Sequence, residues 1–334
     1  MSTATFSGIM RRHRESALNV LVVFVAVQVL CIVAGLIFPN DFRYLSLANI
    51  SVQLKAIPVL GIIALGVGVL MIAGEFDLSV GANYTFTAVV LASLVQQGYS
   101  VYLVAPAVLA LGIMIGLLNG FITLRFNIPS FIATLGAMLF WKGMTLLYNG
   151  ATSLRFRPDP FFVDLTAGSF TLEVLGLDIP IEAAFVWFVV LSIAFWGLLH
   201  HHKLGNHFYA VGGNKQAATA IGINPGRTKL IAFGLAGLCA ALSGILATAR
   251  VGSIVPGSGL GLELQAIAAC VIGSVALTGG RGAILGIFLG AALIYTIQDV
   301  LLLLRAPGFY LDIFVGVLIV AAVIFNEMVR QSKR

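Results

Sequence analysis

The sequence predicts an all-α, polytopic membrane protein of about ten transmembrane helices. Of its 334 residues, 60% are hydrophobic and only 10% are charged, and the mean hydropathy is +1.04. Soluble domains have about 45–50% apolar and about 25% charged residues, so a water-soluble fold has too little polar surface for this chain. Runs of roughly 17–25 apolar residues, which cross about 30 Å of hydrocarbon as helices, recur throughout. A lipid bilayer is therefore the expected solvent.

Ten apolar runs define the predicted spans, and we expect residues 1–334 to form a single transmembrane domain. The first run is too long for a signal-peptide core and has no A-x-A cleavage pattern, so we expect it to remain as a helix. The predicted spans are 18–38, 57–73, 80–97, 101–123, 129–148, 183–199, 228–249, 263–279, 283–304 and 310–327.

The basic residues predict the orientation. An even number of spans puts both termini on one side of the membrane, and cytoplasmic loops carry an excess of Lys and Arg. If the chain starts in the cytoplasm, 12 of the 19 Lys and Arg residues lie on that side. The net charge of +6 is scattered, without a basic stripe or an aromatic-interleaved motif, so we expect no nucleic-acid partner. The cytoplasmic set is Arg11, Arg12, Arg14, Arg125, Lys203, Lys215, Arg227, Lys229, Arg281, Arg330, Lys333 and Arg334.

Glycines at every fourth position mark two of the spans and predict close helix packing, because small residues at this spacing let helix backbones approach in lipid. The two spans are five apart, and an offset of five reverses their orientation. We therefore expect inverted repeats at about 57–148 and 228–327, with a path near the bilayer midplane lined by broken or short helices. The glycines are Gly112, Gly116 and Gly120 in the first span and Gly282, Gly286 and Gly290 in the second.

Three ionisable residues interrupt the apolar regions. Glu75 and Asp77 lie in AGEFDLSVG at 73–81. Ionisable groups in membranes are often functional, for example as proton relays, but the flanking glycines favour a turn in which Asp77 or Ser79 caps the next helix. Lys142 follows Trp141. It either snorkels to the outer interface or pairs with a carboxylate in an outer gate.

The polar segment 200–227 predicts a short cytoplasmic helix. Asn214 can cap a helix through Ala217 and Ala218, and Gly222 can end it. Such a helix, lying along the membrane, can transmit force from a soluble partner to the spans. The run of three histidines at 200–202 suggests metal binding, but consecutive helical residues point in different directions, which favours a solvated cluster. We therefore predict no metal site.

The chain has no motif for nucleotide or hydrolytic chemistry. It contains no G-x-x-x-x-G-K-[ST] loop, no G-x-S-x-G or H-E-x-x-H signature, and no G-x-G-x-x-G after a strand. We therefore expect no enzyme activity and no cofactor in this chain. If transport is driven by ATP, a partner ATPase binds the ATP and Mg²⁺.

Five sequence blocks in order resemble the permease subunits of ribose/xylose/galactose-type ABC importers, within the larger group that includes branched-chain amino-acid permeases. The resemblance covers nearly the whole chain. The family usually has Gly-Ile-Asp-Leu-Ser where this chain has EFDLS, and usually Asp where Gln265 stands, so the substrate is less well defined. The blocks are 74–81 (GEFDLSVG), 126–135 (FNIPSFIATL), 209–223 (YAVGGNKQAATAIGI), 263–269 (ELQAIAA) and 277–282 (LTGGRG).

The resemblance implies a homodimer or heterodimer of permease chains in a bacterial inner membrane, with cytoplasmic ATP-binding subunits and a periplasmic sugar-binding protein. It implies import of a monosaccharide or small polyol by alternating access. The segments 149–182 and 250–262 would meet the binding protein, with Arg155 and Arg157 as rim charges. The ATPase-coupling residues would be Gly212, Gly213, Asn214, Ala217, Ala218, Gly222 and Ile223.

A path for a sugar needs hydrogen-bonding groups, and Asp77, Asn119 and Gln298 are the polar candidates. The same side chains are equally suited to hydrogen bonding between neighbouring helices. Glu75 and Lys142 are candidates for gating or structural roles. The alternative function is an ion-coupled secondary transporter of a small polar solute, in which Glu75, Asp77 or Lys142 would couple transport to the ion gradient.

Overall fold

The fold is given by a computed structural model that describes residues 3–174, 177–310, 313–317, 320–321 and 324. Most of these residues are helical. In chain order the elements are α1 (Thr3–Ile37), α2 (Leu47–Ile72), α3 (Val80–Gln96), α4 (Val101–Arg125), α5 (Ser130–Asn149), β1 (Leu154–Arg155), α6 (Pro160–Ala167), β2 (Ser169–Val174), β3 (Leu177–Glu182), α7 (Ala183–His201), α8 (Lys203–Gly213), α9 (Lys215–Ala220), α10 (Pro225–Val251), β4 (Ser253–Ile254), α11 (Leu262–Ile272) and α12 (Ile284–Leu303).

Within the described part of the chain, seven helices are long and apolar enough to cross a membrane: α1, α2, α4, α5, α7, α10 and α12. Two further apolar helices, α3 and α11, have only 17 and 11 residues. The described residues between 309 and 324 are also helical, while the rest of the predicted span 310–327 lies outside the described residues. The chain is therefore a polytopic helical membrane protein, as its composition predicts.

The helix predicted to start at residue 57 begins ten residues earlier, at Leu47. Ser46 caps it by accepting a hydrogen bond from the Asn49 N–H at 3.2 Å. Its first turns contain polar residues that are satisfied by distant partners, because Asn49 and Gln53 both donate to Asp299 at 2.8 Å. The apolar run therefore predicts a helix that is too short, because it leaves out the polar first turns.

The predicted span 263–279 is wrong in length, since α11 ends at Ile272. Residues 273–283 are irregular and include Ser274, Gly279 and Gly280 with φ of 65°, 81° and 73°. These left-handed residues cannot continue a right-handed helix. As a consequence Gly282 precedes α12 and does not share a helix face with Gly286 and Gly290.

The all-α prediction is corrected by four short strands. Segment 149–182 contains α6 and an antiparallel hairpin in which β2 pairs with β3, with Ser169 opposite Glu182. Alternation of apolar and polar residues in SFTLEV is the local pattern that favours such a strand. A second pair, β1 with β4, joins segment 149–182 to the segment after α10.

Helices α2 and α10 form the centre of the fold. In their most apolar parts, 83% and 72% of the residues are buried, against 17% in α5. The two helices pack on each other, and their further contacts are reciprocal: α10 packs along α3 and α4, while α2 packs along α11 and α12. Close approach of the central pair depends on Gly66, where an added methyl carbon would lie 2.8 Å from the Ala236 Cα.

The two predicted glycine faces contact different helices. On α4, an added methyl carbon at Gly112 would lie 2.8 Å from the Gly237 carbonyl oxygen, and one at Gly116 would overlap the Phe233 carbonyl, so this face meets α10. Gly120 lies against the Phe233 ring. On α12, the backbones of Gly286 and Gly290 lie against Gly273 and Ala269 at the end of α11.

Candidate functional site

Residues 73–79 form a non-helical segment between α2 and α3, which we call the α2–α3 break. Asp77 organises the hydrogen bonds of this segment. Its Oδ1 accepts hydrogen bonds from the Ser79 N–H at 2.8 Å and the Ser79 hydroxyl at 2.7 Å. Asn119 on α4 donates through Nδ2 to Asp77 Oδ2 at 3.2 Å and to Ser79 Oγ at 2.7 Å. All three residues are almost fully buried. Asp77 and Asn119 are thus brought together, and their polar groups largely satisfy one another.

Glu75, in the same break, forms an ion pair with Lys229 of α10 at 2.5 Å. Their side chains are only 13% and 11% exposed, respectively. The break is also fixed to α5, because the Phe76 N–H donates to Ser130 Oγ at 3.1 Å and the Leu78 N–H donates to Thr134 Oγ1 at 3.0 Å. Segment 73–79 is therefore held by α4, α5 and α10 together.

Helix α8 lies against two irregular segments, the α2–α3 break and the loop before α12. Gly212 contacts both, because an added methyl group would overlap the Ile72 carbonyl oxygen and lie 2.7 Å from the Gly280 nitrogen. Those two segments are themselves linked by a hydrogen bond from the Gly280 N–H to the Ile72 carbonyl at 2.8 Å. Helix α8 is thus in backbone contact with both segments.

Tyr209 anchors α8 to the loop before α12, donating its hydroxyl to the Gly282 carbonyl at 2.9 Å. Burial raises the pKa of Tyr209 to about 12, because the phenolate would lose its hydration. The hydroxyl therefore keeps its proton, and remains a donor, throughout the neutral range.

Helix α9 forms as the local sequence predicts. Asn214 Oδ1 accepts from the Ala217 N–H at 3.0 Å, and the chain leaves the helix through Gly222 with φ of 85°. Ala218 is buried against the protein, whereas Gly213, Asn214 and Ala217 are exposed. Of the predicted coupling residues, Gly212 and Ala218 thus face inward, and the exposed ones offer a surface to another molecule.

A cavity of about 210 Å³ lies between α3, α5, α11 and the loop before α11. Two charged side chains lie on its wall, Lys142 from α5 and Glu263 from α11. Lys142 is exposed and forms no ion pair with any described residue. The other lining residues are Gly81, Ala82, Thr85, Met138, Leu139, Thr145, Pro256, Gly257, Gly259 and Leu260.

The two short helices both begin at this cavity. Gly81 is the second residue of α3 and Glu263 is the second residue of α11. The Gly259 N–H donates to Thr85 Oγ1 at 2.9 Å, and an added methyl group on Gly81 would overlap both Gly259 and Glu263. The loop before α11 therefore reaches the first turn of α3, and glycines make this approach possible.

Gln298, the third predicted path residue, lies elsewhere. Its Nε2 donates to Gln265 Oε1 at 3.2 Å, linking α12 to α11, and it does not line the cavity. Sequence reasoning missed Glu263 and Lys229 as site residues. Glu263 stands at the start of the ELQAIAA block, and Lys229 entered only the count of cytoplasmic charges.

The segments 149–182 and 250–262 form one surface, since β1 pairs with β4 through Leu154 with Ile254 and Arg155 with Ser253. Beside this pair is an open cavity of about 450 Å³, lined among others by Arg157, Asp164 and Arg250. Arg155 and Arg157 are both exposed. The two segments that the resemblance assigns to receptor contact are therefore adjacent.

Long apolar helices surround the two short helices α3 and α11, and α8 packs on the irregular segments after α2 and before α12. This is the arrangement expected of an integral membrane transport protein. The family described as "Branched-chain amino acid transport system / permease component" matches residues 46–323. The chain belongs to this family. It is the permease component of an ABC importer, a multi-pass inner-membrane protein, and not itself a catalytic subunit.

Two curated relatives align with this sequence over most of its length. The sequence is 34% identical over 308 residues to the autoinducer 2 import system permease protein LsrC of Salmonella choleraesuis (strain SC-B67), covering 91% of this chain and 86% of the relative. The LsrC of Shigella flexneri is 34% identical over 306 residues, again covering 91% and 86%. No solved structure matches the chain. The family resemblance inferred from the five blocks is thus confirmed.

Proposed function

We propose that this chain imports a monosaccharide or related small polyol across the inner membrane by alternating access, driven by ATP. A second permease chain, identical or different, completes the membrane part. A cytoplasmic ATP-binding subunit binds ATP and Mg²⁺, a periplasmic sugar-binding protein delivers the solute, and both termini lie in the cytoplasm. The family match and the LsrC relatives, whose name describes an autoinducer 2 import system, support this assignment.

The contact of Gly212 with Ile72 and Gly280 carries the proposal. ATP binding and hydrolysis in a partner chain can drive transport only if they move the membrane helices relative to one another. Closely packed backbones pass on small displacements, because a packed contact switches between discrete arrangements and does not deform gradually. In this proposal the exposed side of α8 and α9 binds the ATPase. Gly212 then transmits its movement to the ends of α2, α3, α11 and α12.

Inverted repeats give the two halves opposite orientations around the path. The reciprocal packing, α10 on α3 and α4 and α2 on α11 and α12, supports repeats at about 57–148 and 228–327. In such an arrangement the two short helices occupy equivalent positions, and binding sites form at discontinuous helices near the midplane. The cavity at the starts of α3 and α11 would then lie on the solute path.

An ion-coupled transporter is the alternative, and the contacts of two of its three proposed coupling groups, Glu75 and Asp77, do not favour it. Glu75 is neutralised by Lys229, and Asp77 is enclosed by Ser79 and Asn119. A coupling carboxylate has to exchange its ion with water on each side in turn. Neither carboxylate lines the 210 Å³ cavity.

Transport in proteoliposomes tests the proposal. The chain is reconstituted with its partner permease, ATP-binding subunit and binding protein, and uptake of labelled ribose, xylose and galactose is measured with and without ATP. We expect uptake of at least one sugar to require ATP and the binding protein and to persist when ionophores abolish ion gradients. Uptake that proceeds without ATP and stops with ionophores would instead establish the ion-coupled alternative.

A further inference from the structure

The cavity at the starts of α3 and α11 has one positive and one negative side chain on its wall, Lys142 and Glu263. Glu263 is only 8% exposed, and its Oε1 accepts from the Gly261 N–H at 3.2 Å. Lys142, on the wall of the same cavity, belongs to α5, is exposed and has no ion-pair partner among the described residues. We propose that these two side chains contact the transported solute and select a neutral polyol, an assignment that rests on the proposed function.

The size of the cavity limits the solute. A volume of about 210 Å³ corresponds to about seven water molecules at roughly 30 Å³ each. It lies below the range of about 300–1,000 Å³ that holds drug-sized ligands. This space is of the size of a small solute such as a five- or six-carbon polyol.

The chemistry of the wall favours hydroxyl groups. The Lys142 ammonium is only a donor and the Glu263 carboxylate is only an acceptor, while each solute hydroxyl both donates and accepts. A polyol can therefore accept from Lys142 with one hydroxyl and donate to Glu263 with another. An ion of either sign would leave one wall charge facing a like charge, so the pair disfavours charged solutes.

The position of the pair also fits contact with solute. Lys142 lies 12 residues after the first residue of α5, Ser130, or about 18 Å along the helix at 1.5 Å per residue. With α5 entering the hydrocarbon near its first residue, as the predicted span 129–148 implies, Lys142 lies a little past the middle of a core of about 30 Å. An ammonium and a carboxylate at this depth are costly unless something polar occupies the space between them. A transported polyol supplies those polar groups during each cycle.

Replacing each charge by a neutral group of similar shape tests the proposal in the reconstituted complex. For Glu263→Gln and for Lys142→Gln we expect sugar uptake to fall at least tenfold, since a hydrogen bond to a charged group is lost. ATP hydrolysis stimulated by the loaded binding protein should remain within about twofold of the unmodified complex. The amount of sugar moved per ATP therefore falls. A purely structural defect would instead lower uptake and ATP hydrolysis together.

The controls remove the same charges at exposed positions outside the cavity, with Asp41→Asn matched to Glu263→Gln and Arg43→Gln matched to Lys142→Gln. Both controls should keep unmodified uptake. Glu263→Asp keeps the charge, and uptake above that of Glu263→Gln would support a direct contact even if both variants are less stable.

Three outcomes would overturn the inference. Unchanged uptake in both neutral variants would exclude contact with the solute. Full recovery in the exchanged double variant, K142E with E263K, would mean that the two charges only pair with each other. Uptake of labelled leucine in place of the sugars would assign a zwitterionic solute. Failure of the proposed function is distinct, because the unmodified complex would then show no ATP-dependent uptake of any sugar.

Discussion

Lys229 donates from Nζ to Glu75 Oε1 across 2.5 Å, and this pair connects the N-terminal part of α10 to the break between α2 and α3. The residues are 154 positions apart in sequence. Since both side chains are mostly buried, each charge depends on the other for its compensation. The pair therefore fixes the geometry of the break next to the surface that α8 contacts.

Removing one charge of this pair should destabilise the protein. We expect Glu75→Gln to lower the free energy of unfolding by roughly 3–5 kcal/mol, because it leaves a buried lysine without its partner. Thermal unfolding of the purified protein in detergent measures the effect. The double variant E75Q with K229M should be more stable than the sum of the single changes predicts, and strict additivity of the two effects would show that the charges do not interact.

The crossing of α4 and α10 gives a second prediction. Gly116→Ala should destabilise the fold by about 1–3 kcal/mol, the usual cost of overpacking, since its methyl group overlaps the Phe233 carbonyl. The matched control is Gly197→Ala on α7, where nothing lies within 4 Å of the added carbon. The control should be neutral or slightly stabilising in the same unfolding assay. Equal melting temperatures for the two variants would contradict this role of Gly116.

Two adjacent glycines at the end of α8, Gly212 and Gly213, allow the inward-facing contact of this helix to be tested separately from its exposed side. Gly212→Ala should reduce transport per ATP hydrolysed several-fold, because its methyl group displaces α8 from Ile72 and Gly280. Gly213→Ala should have a smaller effect, since the nearest atom to its added carbon is the Gly280 Cα at 3.9 Å. Uptake and ATP hydrolysis are measured together in proteoliposomes. A stronger effect at Gly213 would contradict transmission through the Gly212 contact.

A substitution at Asn119 distinguishes two roles for this residue, holding the α2–α3 break in place and contacting the solute. Asn119→Ala removes the hydrogen bonds to Asp77 and Ser79, and we expect it to lower stability by roughly 1.5–3 kcal/mol, the range for bonds to charged groups. The apparent KM for sugar uptake should not change, because Asn119 does not line the cavity. An increase of tenfold in that KM at unchanged stability would place Asn119 on the solute path instead.

Local features were the ones that the sequence predicted well. The cap of α9 by Asn214 and its end at Gly222 depend on residues within a few positions of each other, and both form as expected. The end of α11 did not follow from hydropathy, since the apolar residues Val275, Ala276 and Leu277 continue beyond it. There the chain turns so that Gly273 can lie against the backbone of Gly286.

By itself the sequence determined the bilayer as solvent, the helical class and the family, because these depend on composition, on runs of apolar residues and on short blocks that are read along the chain. Only the tertiary structure decided which charges meet. Glu75 pairs with Lys229, and Lys142 and Glu263 line the same cavity, although each pair is more than 100 residues apart. Hydropathy is a sum over neighbours in sequence, whereas these contacts depend on how α3, α5, α10 and α11 pack together in space.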